Sequence, residues 1–276
     1  MPLLHAVVLG LVQGLSEFLP ISSSGHLVVV PWLLGWNDLD DASVKKAFDV
    51  ALHLGTLVAV VGYFRRELVG LVAAGLSSLR HPRQPLAPTA RLAWLLVLSA
   101  VPAAIAGALF DDVIEERLGT PGIIAGSLVV FGVVLAVADR RVGQRALAGL
   151  GVRDALLIGA AQVLALNPGT SRSGITIAAA LLLGVRRDDA ARFAFLMSLP
   201  VIVGAVVFTL GGLVADGVPG DLVAPMLVGI AAAAASGWLA VWGTLRLVRT
   251  RTFTPFVVYR VALAGVVAAV MIAGWR

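Results

Sequence analysis

Six apolar runs, at roughly 45–63, 92–110, 121–138, 190–213, 222–245 and 254–274, dominate the chain. Each is near the roughly 20 residues that carry a helix across a bilayer. In lipid no water satisfies backbone N–H and C=O groups, so such runs must close their hydrogen bonds internally, as helices. Only 13% of the 276 residues are charged, against about 25% in a soluble domain. Mean hydropathy is +0.96. The expected class is an all-α polytopic membrane protein with six transmembrane helices. The chain has no cysteine, which removes disulfide and thiolate chemistry. The net charge of +5 sits in short loops between apolar runs, so nucleic acid is not an expected partner and membrane lipids are. The opening Met1-Pro2-Leu3-Leu4-His5 has no basic n-region, so no cleaved signal is expected.

Two further apolar stretches are too broken to cross. Residues 2–19 and 22–34 are separated by Pro20 and a serine run, and 154–166 and 172–184 by Asn167-Pro168-Gly169. Each reads as a re-entrant helical hairpin with a polar tip. A shift of 149 positions lays Gly10 on Gly159, Gln13 on Gln162, Ser22 on Ser171, Ser24 on Ser173 and Gly25 on Gly174. It also lays Glu17 on Leu166 and Ser23 on Arg172, so one copy has the carboxylate and the other the guanidinium. The halves 1–138 and 153–276, joined by a basic loop at 139–152, would each be a hairpin plus three spans. Three is odd, so the second half enters inverted. Inverted repeats with broken helices meet near the midplane, which predicts one membrane domain over 1–276 and brings both tips together. Residues 66–80 read as a short interfacial helix, and the proline-rich 81–90 as a loop.

Arginine sets the orientation. Arg65, Arg66, Arg80, Arg83 and Arg91, then Arg140, Arg141, Arg145 and Arg153, fall on one side with Arg186, Arg187, Arg192, Arg246, Arg249 and Arg251. Asp38, Asp40, Asp41, Asp111, Asp112, Glu115, Glu116, Asp216 and Asp221 mark the other, beside Lys45, Lys46, Arg117 and Arg276. The arginine-rich side is expected to be cytoplasmic, with both termini outside.

The tips carry the chemistry. Ionisable groups at membrane depth are costly and mark sites. Helix starts near Ser22 and Ser171 would offer free N–H groups and a positive dipole end to an anion. Ser22, Ser24, Gly25, Thr170, Ser171, Ser173 and Gly174 are the expected binding set for an anion with several oxygens, phosphate or carboxylate, and Arg172 adds a fork that matches phosphate oxygens. The bland alternative is that these residues only cap and bend the hairpins. Glu17 fits a general base, an orienter of His26, a cation ligand with Gln13, or an ion pair with Arg172. His26 fits a proton carrier or a direct nucleophile. Gln13 and Gln162 fit substrate contact or interhelical hydrogen bonding. Asp49 and His53, four apart on one helix, fit an accessory role or helix-face packing. His5 and His81 read as incidental, and Arg260 as a side chain snorkelling from the last span.

At these residues the chain closely resembles the undecaprenyl-pyrophosphate phosphatase family, also called the bacitracin-resistance UppP/BacA family. The likeness rests on Gln13-x-x-x-Glu17-Phe18-Leu19-Pro20-Ile21-Ser22-Ser23-Ser24-Gly25-His26 and on Pro168-Gly169-x-Ser171-Arg172-Ser173-Gly174. Phe48 to Gly55 and Pro255-Phe256-x-x-Tyr259-Arg260 extend it over nearly the whole chain. The resemblance implies an inner-membrane hydrolase that removes the terminal phosphate of undecaprenyl diphosphate. The monophosphate carrier then returns to peptidoglycan synthesis. It also implies a site open to the periplasmic side, a divalent cation (Mg²⁺, or Ca²⁺) and a homodimer. By position its essential residues fall on Glu17, Ser23, His26 and Arg172. Many members have Glu where this chain has Gln13, which removes one negative charge from a cation site. The expected chemistry is attack by Ser23 activated by His26, with Glu17 orienting the His or holding the cation; attack by His26 or by water also fits. The competing reading is a lipid or anion transporter, or a flippase, on the same repeat. A transporter gives no reason for His26 beside Ser23.

Overall fold

The structure is a computed structural model. It describes residues 1–276 apart from 40, 82, 142, 217–219 and 276, and the side chains of 42, 111–117 and 208–216 also lie outside the described residues. Of the residues assigned above to the acidic side, Asp40, Asp111, Asp112, Glu115, Glu116, Arg117, Asp216 and Arg276 fall there.

The described residues form ten α-helices: α1 (Leu3–Phe18), α2 (Ser23–Leu34), α3 (Ala42–Arg80), α4 (Pro88–Leu118), α5 (Pro121–Asp139), α6 (Val152–Val163), α7 (Arg172–Leu182), α8 (Arg187–Asp216), α9 (Gly220–Leu247) and α10 (Thr254–Ile272). Short 3₁₀ turns lie at Leu147–Gly149 and Leu164–Leu166. Six helices are long and apolar enough to cross a membrane: Ser43–Arg80, Pro88–Phe110, Pro121–Asp139, Arg187–Val207, Gly220–Leu247 and Thr254–Ile272. They coincide with the six expected spans, so this is a multi-pass helical membrane protein. Their outer faces carry exposed Val58, Val69, Leu109, Val130, Leu239 and Val261, as a surface solvated by lipid should.

Two local expectations change. No separate interfacial helix exists at 66–80, because α3 runs unbroken to Arg80. Arg65, Arg66 and Glu67 mark the end of the apolar run, but all are good helix formers and nothing there stops the helix. The expected loop at 81–90 is shorter, because Pro88 opens α4 at a position where its missing N–H is no loss.

Packing comes in matched pairs. α1 lies along α9 and α6 along α4; α3 packs on α9 and α8 on α4; α1 meets α2 and α6 meets α7. The first pairing is close because it has no side chain in the way. A Cβ on Gly10 would meet the Gly229 carbonyl oxygen at 2.5 Å, and one on Gly159 would strike the Ser99 carbonyl. Small residues at crossings let membrane helices approach and pack. One apolar core then runs through Phe18, Val60, Leu135, Ile158, Ile177, Phe195, Val241 and Phe253, drawn from both ends of the chain.

Candidate active site

The α1–α2 link and the α6–α7 link meet inside the bundle. They share a local geometry that few sequences adopt. Ser22 and Ser171 both have positive φ, at 80° and 75°. Non-glycine residues there are strained by about 1–3 kcal/mol each, and such strain concentrates at functional sites. Each is an N-cap: Ser22 Oγ accepts from Gly25 N at 3.3 Å, and Ser171 Oγ from Gly174 N at 3.1 Å. The tips touch directly. Gly169 N donates to Ser22 Oγ at 3.0 Å, and Ser173 Oγ to the Leu19 carbonyl at 3.1 Å.

The charged centre lies at this junction. Glu17, 5% exposed, accepts from Arg172 Nη2 at 2.6 Å on Oε1. Its Oε2 accepts from Ser23 Oγ at 2.5 Å and from Gln13 Nε2 at 3.2 Å. His53 Nε2 stands 3.9 Å from the same oxygen, and its Nδ1–H is tied to the Asp49 carbonyl at 2.7 Å. The Asp49 side chain instead faces Lys45, at 3.6 Å. Among the described residues, Arg172 Nη1 and Gln13 Oε1 are buried beside this carboxylate without a hydrogen-bond partner. A buried polar group left unpaired costs about 1–3 kcal/mol. Such groups fit a site whose partners arrive with a ligand.

His26 faces elsewhere than expected. Its Nδ1–H donates to the Ser22 carbonyl at 2.6 Å, which fixes the neutral tautomer with a bare Nε2. Tyr259 O–H then donates to Nε2 at 2.8 Å, with the rings stacked 5.6 Å apart. Ser23 Oγ is therefore bonded to Glu17 and not to His26. The sequence placed base and nucleophile by proximity along the chain. The turn of α2 instead points residues 23 and 26 to different neighbours.

The expected diphosphate-binding residues divide by where their groups point. The hydroxyls of Ser22 and Ser173 hold the tips together, that of Ser171 caps α7 within its own tip, and Thr170 Oγ1 accepts from Asn167 Nδ2 at 3.2 Å. Exposed Ser24 lies 3.5 Å from Ser22 Oγ. Gly25 and Gly174 N–H groups are used by the caps. The N–H groups of Ser23, Ser24, Arg172 and Ser173 open the two helices, where no intrahelical partner exists. Gln162 is 2% exposed, and neither of its amide atoms is bonded to a described residue.

Arg260 departs from the expectation of a snorkelling side chain. It does not snorkel: its side chain is fully buried, at 0% exposure. Nε donates to the Leu128 carbonyl at 3.0 Å, and Nη1 to Pro20 at 3.2 Å. Nη2 reaches the carbonyls of Gly169 at 2.8 Å, Thr170 at 3.0 Å and Ser127 at 3.4 Å. One guanidinium thus ties both tips to α5. The only sequence signal was its place beside Tyr259 in a motif of the last span. His5 is likewise not incidental: it stacks on Trp36 at 3.7 Å and bonds Asp38 at 2.5 Å. The His81 ring bonds the Ser77 carbonyl at 3.3 Å, on the surface.

Gly169 has φ +93°, and a Cβ there would sit 2.7 Å from the Ile124 carbonyl oxygen. Gly169→Ala is expected to lower the melting temperature of detergent-purified protein by about 5 °C, from about 1–3 kcal/mol of strain. An unchanged melting curve would mean that the tip relaxes freely.

Among the described residues no three His, Cys, Asp or Glu side chains gather as a metal-binding group. The oxygens near the site suited to a cation are Gln13 Oε1 and those of Glu17, the latter already accepting from protein donors. This donor set fits only a cation that takes its remaining ligands from water and substrate.

The fold and site define a polytopic membrane protein with an arginine, a carboxylate–serine pair and two helix starts converging inside the bundle. Comparison places it further. The family model for bacitracin resistance protein BacA matches residues 6–266, and the chain belongs to that family. Curated relatives include the undecaprenyl-diphosphatase of Geobacter sulfurreducens, 47% identical over 275 residues, covering 99% of this chain and all of the relative. That of Pelobacter propionicus is 46% identical over 278 residues, covering 99% of each chain. That of Rubrobacter xylanophilus is 44% identical over 272 residues, covering 98% of each.

Proposed function

We propose that this protein is a membrane phosphatase that hydrolyses undecaprenyl diphosphate to undecaprenyl phosphate and inorganic phosphate. It thereby recycles the lipid carrier of cell-wall synthesis and confers bacitracin resistance. The observation that carries the chemistry is the Arg172–Glu17–Ser23 chain, with Arg172 Nη1 buried and unpartnered beside it. Full-length likeness to proteins named undecaprenyl-diphosphatase supports the substrate.

In this reading Ser23 Oγ attacks the terminal phosphorus and its proton passes to Glu17 Oε2, 2.5 Å away. The bond from that phosphorus to the bridging oxygen breaks, releasing the prenyl monophosphate. Water then hydrolyses the phosphoserine. Arg172 Nη1 and the N–H groups at the starts of α2 and α7 hold the charge on the phosphoryl oxygens, which is most of what such a transfer asks of a protein. His26 and Tyr259, hydrogen-bonded to each other and not to Ser23, would serve as a separate proton-carrying pair. Gln13 and Glu17 would hold a divalent cation, Mg²⁺ or Ca²⁺, which when bound adds positive charge against the phosphate.

The two tip-bearing pairs are read as re-entrant hairpins within an inverted repeat of residues 1–138 and 153–276. The matched helix pairings and the twin strained serines support this reading. The arginine distribution supports an arginine-rich cytoplasmic side in the inner membrane, with both termini outside and the site reached from the periplasm. A homodimer belongs to the same reading.

The test is phosphate release from a prenyl diphosphate by detergent-purified protein, with Mg²⁺ and with chelator. Wild type should be active, and Ser23→Ala reduced on the order of 1,000-fold or more. Acid quench should trap phosphate on Ser23; a wild type that turns over with no trapped phosphate would make water the nucleophile. No release under any cation would move a lipid carrier to first place. Tyr259→Phe removes one hydrogen bond to His26 and should slow release only about tenfold, less than the roughly 100-fold or larger loss expected for His26→Ala. Equal losses would make the tyrosine hydroxyl itself the essential group.

A further inference from the structure

A cavity of about 560 Å³ opens between α3, α8 and α9 at the arginine-rich end of the spans. It lies well away from the tips. Tyr63 on its wall is ten residues beyond His53 on α3, or about 15 Å along the helix. A second hollow of about 290 Å³ shares Asp188 and Arg249 with it.

The cavity's charges are unbalanced. Its carboxylates are committed: Glu67 to Arg192 at 2.8 Å, and Asp189 and Asp188 to Arg186 at 2.7 and 3.9 Å. Arg65, Arg66 and Arg249 line the same space with no acidic partner among the described residues. Three guanidiniums facing one hollow repel each other unless an anion joins them, and their forks match phosphate oxygens.

The surroundings say where that anion comes from. Tyr63 and Trp238 meet edge-on at 5.5 Å on the cavity wall. Such aromatics sit at the headgroup level of a bilayer. Deeper than the arginines, Val58, seven residues before Arg65 on α3, and Leu239 and Trp242, ten and seven before Arg249, are exposed at 60%, 61% and 48%. The arginines thus lie directly above an apolar wall where acyl chains run, as in basic pockets between spans that hold anionic headgroups.

We infer that this cavity binds the phosphate headgroup of an anionic phospholipid from the leaflet on the arginine-rich side. The site is independent of the tips, and its ligand is not the reacting diphosphate.

The test is binding of acyl-labelled phosphatidylglycerol to the full chain in phosphatidylcholine mixed micelles, read by anisotropy. Arg65→Gln/Arg66→Gln/Arg249→Gln should lose on the order of 100-fold in affinity, and Arg249→Gln alone about fivefold. Arg80→Gln/Arg83→Gln/Arg140→Gln removes the same charge outside the cavity and should stay within about twofold of wild type. Equal losses in the two triple variants would reduce the effect to diffuse surface charge and overturn the site. Displacement of the lipid by inorganic phosphate at matched concentration would show a free-phosphate site instead. Should the triple variant fail to fold, an Arg249→Gln protein with unchanged affinity is enough to reject the proposal.

Discussion

Arg172→Lys is expected to slow phosphate release from a prenyl diphosphate on the order of 1,000-fold while the protein still folds. The reason lies in how the guanidinium is used. Nη2 is spent on Glu17 at 2.6 Å, and Nη1 is buried with nothing to bond. A lysine ammonium keeps the charge and one contact to Glu17, but has no second nitrogen held in a fixed plane. Burial is retained, the ion pair is retained, and the group aimed at the phosphoryl oxygens is lost. Arg172→Ala should do more: it strands Glu17 as an unpaired buried carboxylate, which typically costs about 3–5 kcal/mol. Comparing the two variants separates catalysis from folding. Rates measured beside melting curves decide it: a folded Lys variant within about tenfold of wild type would remove Arg172 from the phosphate site.

The second large effect concerns stability. Arg260→Met should lower the melting temperature by about 10 °C or more, or prevent recovery of folded protein. The methionine has similar length and suits an apolar core, but it leaves five carbonyls, of Pro20, Leu128, Ser127, Gly169 and Thr170, without their donor. The carbonyls of Pro20, Gly169 and Thr170 lie outside the helices and are stranded outright, at about 1–3 kcal/mol each, against a total stability of about 5–15 kcal/mol. Arg260→Lys supplies fewer donors, in no fixed plane, and should fall between. The measurement is thermal unfolding followed by tryptophan fluorescence in one detergent. A Met variant as stable as wild type would show that the tips hold without the clamp.

Tyr259 and Arg260 are consecutive, yet they serve different partners. Tyr259 bonds the His26 ring and Arg260 the backbone of both tips. Both partners of the first tip lie more than two hundred residues away, and nothing local to α10 announces them. An arginine inside an apolar span has two physical solutions, reaching out to water or being saturated by carbonyls inside. Only the neighbours decide which. The same holds for Ser23: it lies three residues from His26 and six from Glu17, and the bond forms with the farther one. Helix direction outweighs sequence distance.

What the sequence determined by itself is the part that lipid enforces. Apolar length fixes a span because an unpaired backbone group in hydrocarbon is too costly, and that rule needs no partner residue. It placed all six spans, and the repeated Ser-x-Ser-Gly tips were visible as the polar interruptions in an apolar chain. Tertiary structure alone decided the aim of His26 toward Tyr259 and the burial of Arg260. These depend on which donors meet which acceptors once distant helices pack, and a hydrogen bond of a few ångströms leaves no mark in the one-dimensional pattern of apolar and polar residues.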